Sequence, residues 1–132
     1  MNQLVDALSR KQKKSLNGSR ILLLGMAYKK NVDDMRESPS LVLLEMLEAA
    51  GATVDYYDTF IPVIPKTREH AALAGRKSVA WDKATVASYD AALVCTEHDT
   101  VDYNQLVEWS RLVVDTRNAT KAVTAREKII LA

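Results

Sequence analysis

The alternation of short apolar runs with helix-length segments constrains the fold of this chain more than any other feature. The first run, ILLL at 21–24, is uninterrupted, which is typical of a strand buried on both faces of a parallel sheet. Five further strand-like segments follow: TVDYYD at 53–58, KSVAW at 77–81, YDAALVC at 89–95, RLVVD at 111–115 and EKIILA at 127–132. Strands separated by helices imply right-handed crossovers. We therefore expect an α/β fold, a Rossmann-like doubly wound parallel sheet of about six strands in the order 3-2-1-4-5-6.

The helices between these strands carry local start and stop signals. Ser38 is a predicted N-cap, Pro39 stands at the first helical position, and Gly51 follows the end of the same helix. Two later helices are predicted at 82–88, capped by Asp82, and at 102–110. Residues 2–14 also have helical spacing and a basic last turn, and an Asn-Gly turn signal ends them. A short basic helix of this kind indicates that the chain is a piece of a longer protein.

Length, charge and cysteine content exclude several classes of protein. A chain of 132 residues is large enough for one domain with its own core. Eighteen basic and seventeen acidic residues give a net charge of +1, which argues against general binding to nucleic acid or a membrane surface. The single cysteine excludes an internal disulfide framework and a cysteine-based metal site. The apolar runs are too short for a membrane span or a secretory signal, so we expect a cytoplasmic protein.

The predicted strand order places a ligand crevice at the carboxyl ends of the strands, where the order reverses between the first and the fourth. Predicted strands lead into three segments near this crevice: 25–34, 96–99 and 116–118. The first segment brings Tyr28, Lys29 and Lys30, and the last brings Arg117. Cations that converge from different strands favour an anionic ligand, most often a phosphate, over solvated surface charges. An aromatic ring beside them could stack on a base or pack against a ribose.

The loop after the first strand matches neither common phosphate-binding motif. A dinucleotide fingerprint needs G-x-G-x-x-G, but here only Gly25 is present and Ala27 occupies the place of the second glycine. A P-loop needs a second glycine before its lysine, and none precedes Lys29 or Lys30. The connection from 25 to 38 is also long for this kind of unit, which indicates a functional loop. We therefore predict that the chain does not bind NAD in the standard Rossmann manner.

The remaining polar residues give no catalytic or metal constellation. Asp58 ends the second predicted strand and is interpreted as a turn carboxylate, and the adjacent Asp33–Asp34 pair as part of local salt bridges. His70 and His98 are far apart in the sequence without supporting ligands. Cys95 has no evident base and is interpreted as a core residue. With no nucleophile–base pair and no metal site, the chain is predicted to be a binding domain.

Three stretches together resemble a known family: GMAYKKNVDDMRESPS at 25–40, GATVDYYD at 51–58 and VVDTRN at 113–118. They resemble the C-terminal, UDP-binding domain of the UDP-glucose/GDP-mannose dehydrogenase family. The segment IPVIPKTREHAALAGRKSV at 61–79 is most similar to the bacterial UDP-N-acetylglucosamine 6-dehydrogenase branch. One departure is Thr59, where the family commonly has proline after the aspartate.

The resemblance implies a division of labour within a larger enzyme. Residues 15–132 would form the UDP-binding domain, and residues 1–14 the end of a linker helix from a central domain absent from this chain. In the family, an N-terminal domain holds NAD and a cysteine in a glycine-rich segment forms the covalent intermediates. The enzyme oxidises the C6 alcohol of a UDP-sugar twice, to the uronic acid, and supplies nucleotide-sugar and polysaccharide biosynthesis. The isolated chain is expected to be inactive, and the full-length protein to be a homo-oligomer.

The resemblance also implies roles for individual residues. Tyr28, Lys29 and Arg117 match positions that contact the UDP-sugar, and Arg36 matches a residue that reaches the NAD held by the other domain. The alternative is a stand-alone, non-catalytic Rossmann-like module that serves oligomerisation or regulation.

Overall fold

Parallel strands form a single sheet in the computed structural model, which describes residues 2–12, 15–26, 39–65, 71–124 and 126–131. Within these ranges the sheet has five strands in the order β2-β1-β3-β4-β5. The strands are β1 (Arg20–Leu24), β2 (Thr53–Tyr57), β3 (Ala91–Val94), β4 (Val113–Asp115) and β5 (Ile129–Leu131). The sheet is parallel throughout, so the carboxyl ends of these strands lie along one edge.

The first helix precedes β1, and the later helices lie between strands, as the alternating sequence pattern predicts. Their bounds are α1 (Asn2–Ala7), which runs into a π-helical turn at Leu8–Gln12, α2 (Pro39–Ala49), α3 (Lys83–Ala87) and α4 (Tyr103–Trp109), with a 3₁₀ turn at Ala71–Leu73. The Asp82 side chain accepts a hydrogen bond from the Thr85 amide, and Asp102 accepts one from the Gln105 amide. These contacts satisfy amides that a helix leaves unpaired at its start. The predicted cap Ser38 lies outside the described residues.

The alternation of side chains along β1 divides the core between the two faces of the sheet. Ile21 and Leu23 point to one face, where they pack with residues of α1 and α2. Leu22 and Leu24 point to the other face, where they pack with residues of α3 and α4. A strand covered on both faces is uniformly apolar, which is why the run at 21–24 shows no polar alternation. The fold is thus a Rossmann-like, doubly wound α/β sandwich.

The structure confirms the predicted strand order but not the third predicted strand. Residues 77–81 contribute a single antiparallel bridge, between Lys77 and Val63. Nearby, the Ser78 amide donates to the carbonyl of Pro62, and only the Val79 amide reaches β2. Residues 77–81 therefore pair mainly with the loop that precedes them. Backbone groups of that loop provide hydrogen-bond partners for the segment, so fewer of its amides and carbonyls need partners on β2. The described sheet has five strands instead of six for this reason.

Candidate functional site

The strand order reverses at β1, which pairs with β2 on one side and with β3 on the other. Ligands of open parallel sheets bind outside the strand ends at such a reversal. Here β3 leads directly into Cys95 and Thr96, and β4 into Thr116 and Arg117. The amides of Cys95 and Thr96 both donate to the carbonyl of Leu24, at 2.9 and 3.1 Å, so the ends of β1 and β3 are joined at the crevice.

Gly25, at the end of β1, serves packing between strands. Its φ is 98°, and a Cβ built there would lie 2.4 Å from the Cβ of Thr96 and 2.8 Å from the Thr96 nitrogen. The other glycines of the chain, Gly18, Gly51 and Gly75, lie outside this turn. A dinucleotide cradle uses several glycines to bring backbone amides against the pyrophosphate. The number and positions of the glycines in this chain therefore do not fit the cradle that binds the pyrophosphate of NAD.

Arg117 lies at the crevice, and part of its guanidinium is hydrogen-bonded to the backbone of the protein. Its Nε donates to the carbonyl oxygen of Cys95 at 3.0 Å, and its own amide donates to Asp115 at 2.9 Å. The side chain is exposed. Within the described part of the chain, Nη1 and Nη2 make no hydrogen bond, so both can donate to an anion. A guanidinium oriented in this way suits a phosphate that accepts two parallel hydrogen bonds.

Asp115 fixes the loop that carries Arg117. The carboxylate is 1% exposed and accepts hydrogen bonds from the amides of Arg117, Ala119 and Thr120 and from the Thr120 hydroxyl, at 2.6 to 3.2 Å. Burial by itself would raise the pKa of Asp115, but these hydrogen bonds outweigh burial and hold the pKa below its ordinary value. Asn118, with φ of 56°, completes the tight turn. An ionised carboxylate thus holds the loop in one conformation.

A cleft of about 230 Å³ lies between Arg117 and the start of α2. Its described lining consists of Pro39, Ser40, Leu43, Cys95, Thr96, Thr116 and Arg117, without an acidic side chain. The start of a helix carries the positive end of the helix dipole, which favours anions. On the other side of Arg117, a hollow of about 500 Å³ is lined in part by Glu97 and Asp115. The negative charges of these two side chains would repel an anionic ligand. An anionic ligand of Arg117 is therefore better accommodated on the side of α2.

Asp58 and His98 form a buried pair beside the same strand ends. Asp58 Oδ2 lies 2.9 Å from His98 Nε2 and 2.7 Å from the amide nitrogen of Met26, while Oδ1 accepts from the Phe60 amide at 2.8 Å. Burial tends to raise the pKa of Asp58, but the hydrogen bonds from His98 and from the two amides bring it below its ordinary value. The carboxylate is therefore a strand-end and turn carboxylate, as predicted, with a histidine partner in addition.

Cys95 lines the cleft but is a weak nucleophile. Burial raises the pKa of its thiol to about 12, although Ser40 and Arg117 act in the opposite direction. The thiol form therefore predominates near neutral pH, and a thiol is far less nucleophilic than a thiolate. The side chain packs against the core cluster that includes α2. This agrees with its interpretation as a core residue.

Several predicted site residues cannot be placed. Tyr28, Lys29 and Arg36, together with Asp33 and Asp34, lie outside the described residues. Their roles remain predictions. Of the residues assigned to the ligand by the resemblance, the structure describes Arg117 alone.

Sequence reasoning missed the pairing of Asp58 with His98 and the role of Asp115. His98 was compared only with His70, whereas its partner is 40 positions away. A usable signal was present, since Asp58 ends one predicted strand and His98 follows another, which places both at the same edge of the sheet. The turn after Asp115 could have been recognised from the sequence VVDTRN, because aspartate at a strand end commonly accepts amides of the following turn.

The described residues contain no group of three histidine, cysteine or acidic side chains arranged to hold a metal ion. None of their helices is both long and apolar enough to cross a membrane.

Sequence comparisons identify relatives that are much longer than this chain. The sequence model described as "UDP-glucose/GDP-mannose dehydrogenase family, UDP binding domain" matches residues 22–122. A UDP-glucose 6-dehydrogenase of Rhizobium meliloti is 33% identical over 110 residues, which cover 78% of this chain and 24% of the relative. A UDP-glucose 6-dehydrogenase of Haloferax volcanii is 36% identical over 118 residues, or 85% and 25% of the two chains. The chain thus spans about a quarter of the length of these curated relatives.

Solved structures share the fold over nearly the whole chain. The UDP-D-ManNAc dehydrogenase of Pyrococcus horikoshii superimposes with a TM-score of 0.74 at 24% identity, covering 98% of this chain and 29% of that one. An NDP-N-acetyl-D-galactosaminuronic acid dehydrogenase of Methanosarcina mazei gives a TM-score of 0.75 at 23% identity, covering 99% and 27%. At these identities the likeness is one of fold, whereas the family model matches most of the sequence itself. This chain therefore belongs to the UDP-glucose/GDP-mannose dehydrogenase family and corresponds to its UDP-binding domain.

Proposed function

We propose that this chain is the UDP-sugar-binding domain of an NAD-dependent nucleotide-sugar 6-dehydrogenase, which oxidises the C6 alcohol of a UDP-hexose to the uronic acid. One observation carries the proposal: Arg117 borders a cleft at the switch point of a sheet whose sequence belongs to this family, and the described lining of that cleft includes no acidic side chain. The diphosphate of a UDP-sugar has the charge that such a cleft would bind.

The proposed ligand contacts come from Tyr28, Lys29 and Arg117. The two cations would neutralise the diphosphate, and the aromatic ring would pack against the nucleoside. Because Arg117 is held by Asp115 and by the carbonyl of Cys95, its guanidinium is preorganised for this task. Anchoring the UDP end would fix the position of the sugar for chemistry performed by another domain.

NAD would be bound mainly by a domain that precedes this one in the full-length protein. The single glycine after β1, committed to packing against Thr96, supports a cofactor site elsewhere. Arg36 would reach toward that cofactor across the interdomain cleft. The partners would be the N-terminal and central domains and, in the full-length protein, further copies of the same enzyme.

The sugar would be UDP-N-acetylglucosamine or UDP-glucose. Segment 61–79 favours the first by resemblance. The relatives bear the names of UDP-glucose and UDP-N-acetyl-D-mannosamine dehydrogenases, so their names do not select one hexose. Oxidation assays of the full-length enzyme with each UDP-sugar would identify the substrate.

Calorimetric titration of the chain with UDP tests the proposal directly. Arg117→Gln should weaken UDP binding about tenfold or more, since it removes a charge-assisted contact. Arg111→Gln is the matched control, because Arg111 precedes β4 and lies near Asp90 (3.6 Å) at the other end of the strand. It should leave the affinity unchanged.

Two outcomes would contradict the proposal. One is a folded chain that takes up no UDP at millimolar concentration. The other is an equal loss of affinity in the Arg117 and Arg111 variants, which would indicate a nonspecific charge effect. Absence of UDP binding together with concentration-dependent self-association in sedimentation would favour the alternative of an oligomerisation module.

A further inference from the structure

We propose that Asp58 and His98 are a positioning pair for the chain segments that leave β1 and β3, and that they control UDP-sugar affinity without touching the ligand. This inference rests on the function proposed above. Both side chains are buried, with Asp58 and His98 each 1% exposed, so neither can be a direct ligand contact.

The Asp58 carboxylate joins the ends of three strands. It follows β2, and its Oδ2 accepts a hydrogen bond from the Met26 amide (2.7 Å), two residues after β1. The same oxygen lies 2.9 Å from Nε2 of His98, four residues after β3. One carboxylate therefore fixes the exits of β1 and β3 relative to β2. These exits border the crevice in which Arg117 lies.

His98 is itself held on several sides. A carboxylate can only accept hydrogen bonds, so Nε2 of His98 carries the hydrogen in this contact. The imidazole packs against the ring of Phe60, with centroids 4.7 Å apart. The His98 carbonyl accepts a hydrogen bond from the Tyr103 hydroxyl at 2.9 Å, which connects it to the first turn of α4. The donor is thus held in place by both the turn after β2 and the start of α4.

The pair is connected to the two parts of the chain that supply the proposed UDP contacts. Met26 directly precedes the segment that carries Tyr28 and Lys29. Cys95, three residues before His98, provides the carbonyl that holds Nε of Arg117. Loss of the His98 contact would remove one of the groups that orient the carboxylate bound to Met26, and it would also loosen the connection that supports Arg117. Small displacements of positioned groups carry large costs in binding and catalysis.

Three variants separate positioning from a purely structural role. His98→Leu removes the donor, whereas His98→Gln keeps an N–H donor at the end of a side chain of comparable length. Tyr89→Phe is the control, because it removes another hydrogen bond to a carboxylate, the partly buried contact from the Tyr89 hydroxyl to Asp55 Oδ2 (2.7 Å). Tyr89 precedes β3, so this contact lies away from the crevice.

The measurements are the UDP dissociation constant, by calorimetry, and the free energy of unfolding, by urea denaturation. We expect His98→Leu to raise the dissociation constant about tenfold, and His98→Gln to restore most of the affinity. Tyr89→Phe should destabilise the fold yet bind UDP as the wild type does. Wild-type affinity in His98→Leu, or an equal loss in Tyr89→Phe, would overturn the inference.

Hydrogen exchange keeps the test independent of the proposed function. If the wild-type chain takes up no UDP, the proposed function fails, and exchange at the Met26 amide then decides the positioning role. We expect this amide to exchange about tenfold faster in His98→Leu than in Tyr89→Phe once the exchange is corrected for global stability. Equal protection in the two variants would show that His98 does not hold the exit of β1.

Discussion

At the scale of single residues, Gly25 is a position where the backbone tolerates little change. In Gly25→Ala the new Cβ would meet both the side chain and the backbone of Thr96, at 2.4 to 2.9 Å, on a residue with φ of 98°. Backbone strain and overpacking add, so we expect a loss of about 3 kcal/mol in the free energy of unfolding. Urea denaturation of the two proteins measures this loss.

Gly18→Ala is a control that separates the cost of backbone strain from the cost of a steric clash. Gly18 has φ of 85°, but no atom lies within 4 Å of the position a Cβ would take. Only the cost of a left-handed backbone remains, which is about 1 kcal/mol. Losses of equal size in the two variants would mean that the contact with Thr96 is not the reason for glycine at 25.

Asp115 gives a second prediction at this scale. Asp115→Ala leaves the partly buried amide of Ala119 and the buried amide of Thr120 without this acceptor, and hydrogen bonds to a charged group are among the stronger ones. We expect a loss of about 3 kcal/mol in unfolding free energy. Thr120→Val removes only the hydroxyl contact, at 2.6 Å, and should cost about 1 kcal/mol. Thermal and urea denaturation would both reveal the difference, and a larger cost for Thr120→Val would contradict it.

Individual residues also show what the sequence could and could not predict of the site. Arg117 was assigned to the crevice because it directly follows a strand, and strand order follows from general rules of topology. The Asp58–His98 contact was not predicted, since it depends on the paths of two loops after their strands end. Loop paths follow from tertiary packing, which local patterns do not encode.

At the scale of elements, the start of α4 depends on its N-cap. Asp102 accepts a hydrogen bond from the Gln105 amide at 3.1 Å, and the helix is only seven residues long. Asp102→Ala should cost about 1 kcal/mol of unfolding free energy, whereas Asp102→Asn should cost much less because asparagine caps equally well. Circular dichroism during urea denaturation distinguishes the two. Equal losses would indicate that charge, and not capping, stabilises this end.

The elements themselves were largely predictable, with one exception. Segments 21–24 and 89–95 are apolar and bounded by turn signals, so their pattern favours central strands. Segment 77–81 has a similar composition but pairs with the loop around Val63. Composition does not distinguish a ladder with β2 from pairing with a folded-back loop, because an extended segment of the same residue types suits both. The number of strands was the part of the fold that the pattern could not determine.

At the scale of the whole molecule, two buried carboxylates link stability to pH. The pKa values of Asp58 and Asp115 are both below the ordinary value, because hydrogen bonds outweigh the effect of burial. Below about pH 4 the unfolded chain therefore binds protons at these two positions more readily than the folded one. The stability that they contribute is present above that pH and is lost as pH falls through the folded pKa values.

We therefore expect the free energy of unfolding, measured by urea denaturation between pH 6 and pH 2.5, to fall steeply on the acid side of about pH 4. Asp58→Asn removes one titrating group, so its curve should start lower at pH 6 and decline less toward pH 2.5. Gly18→Ala is the control, because it destabilises the fold without changing a titrating group, and its curve should run parallel to that of the wild type. An acid decline that is equally steep in Asp58→Asn would mean that other carboxylates dominate. In that case the Asp58–His98 contact would contribute little to the pH dependence of the free energy of unfolding, even if it positions the segments that leave β1 and β3.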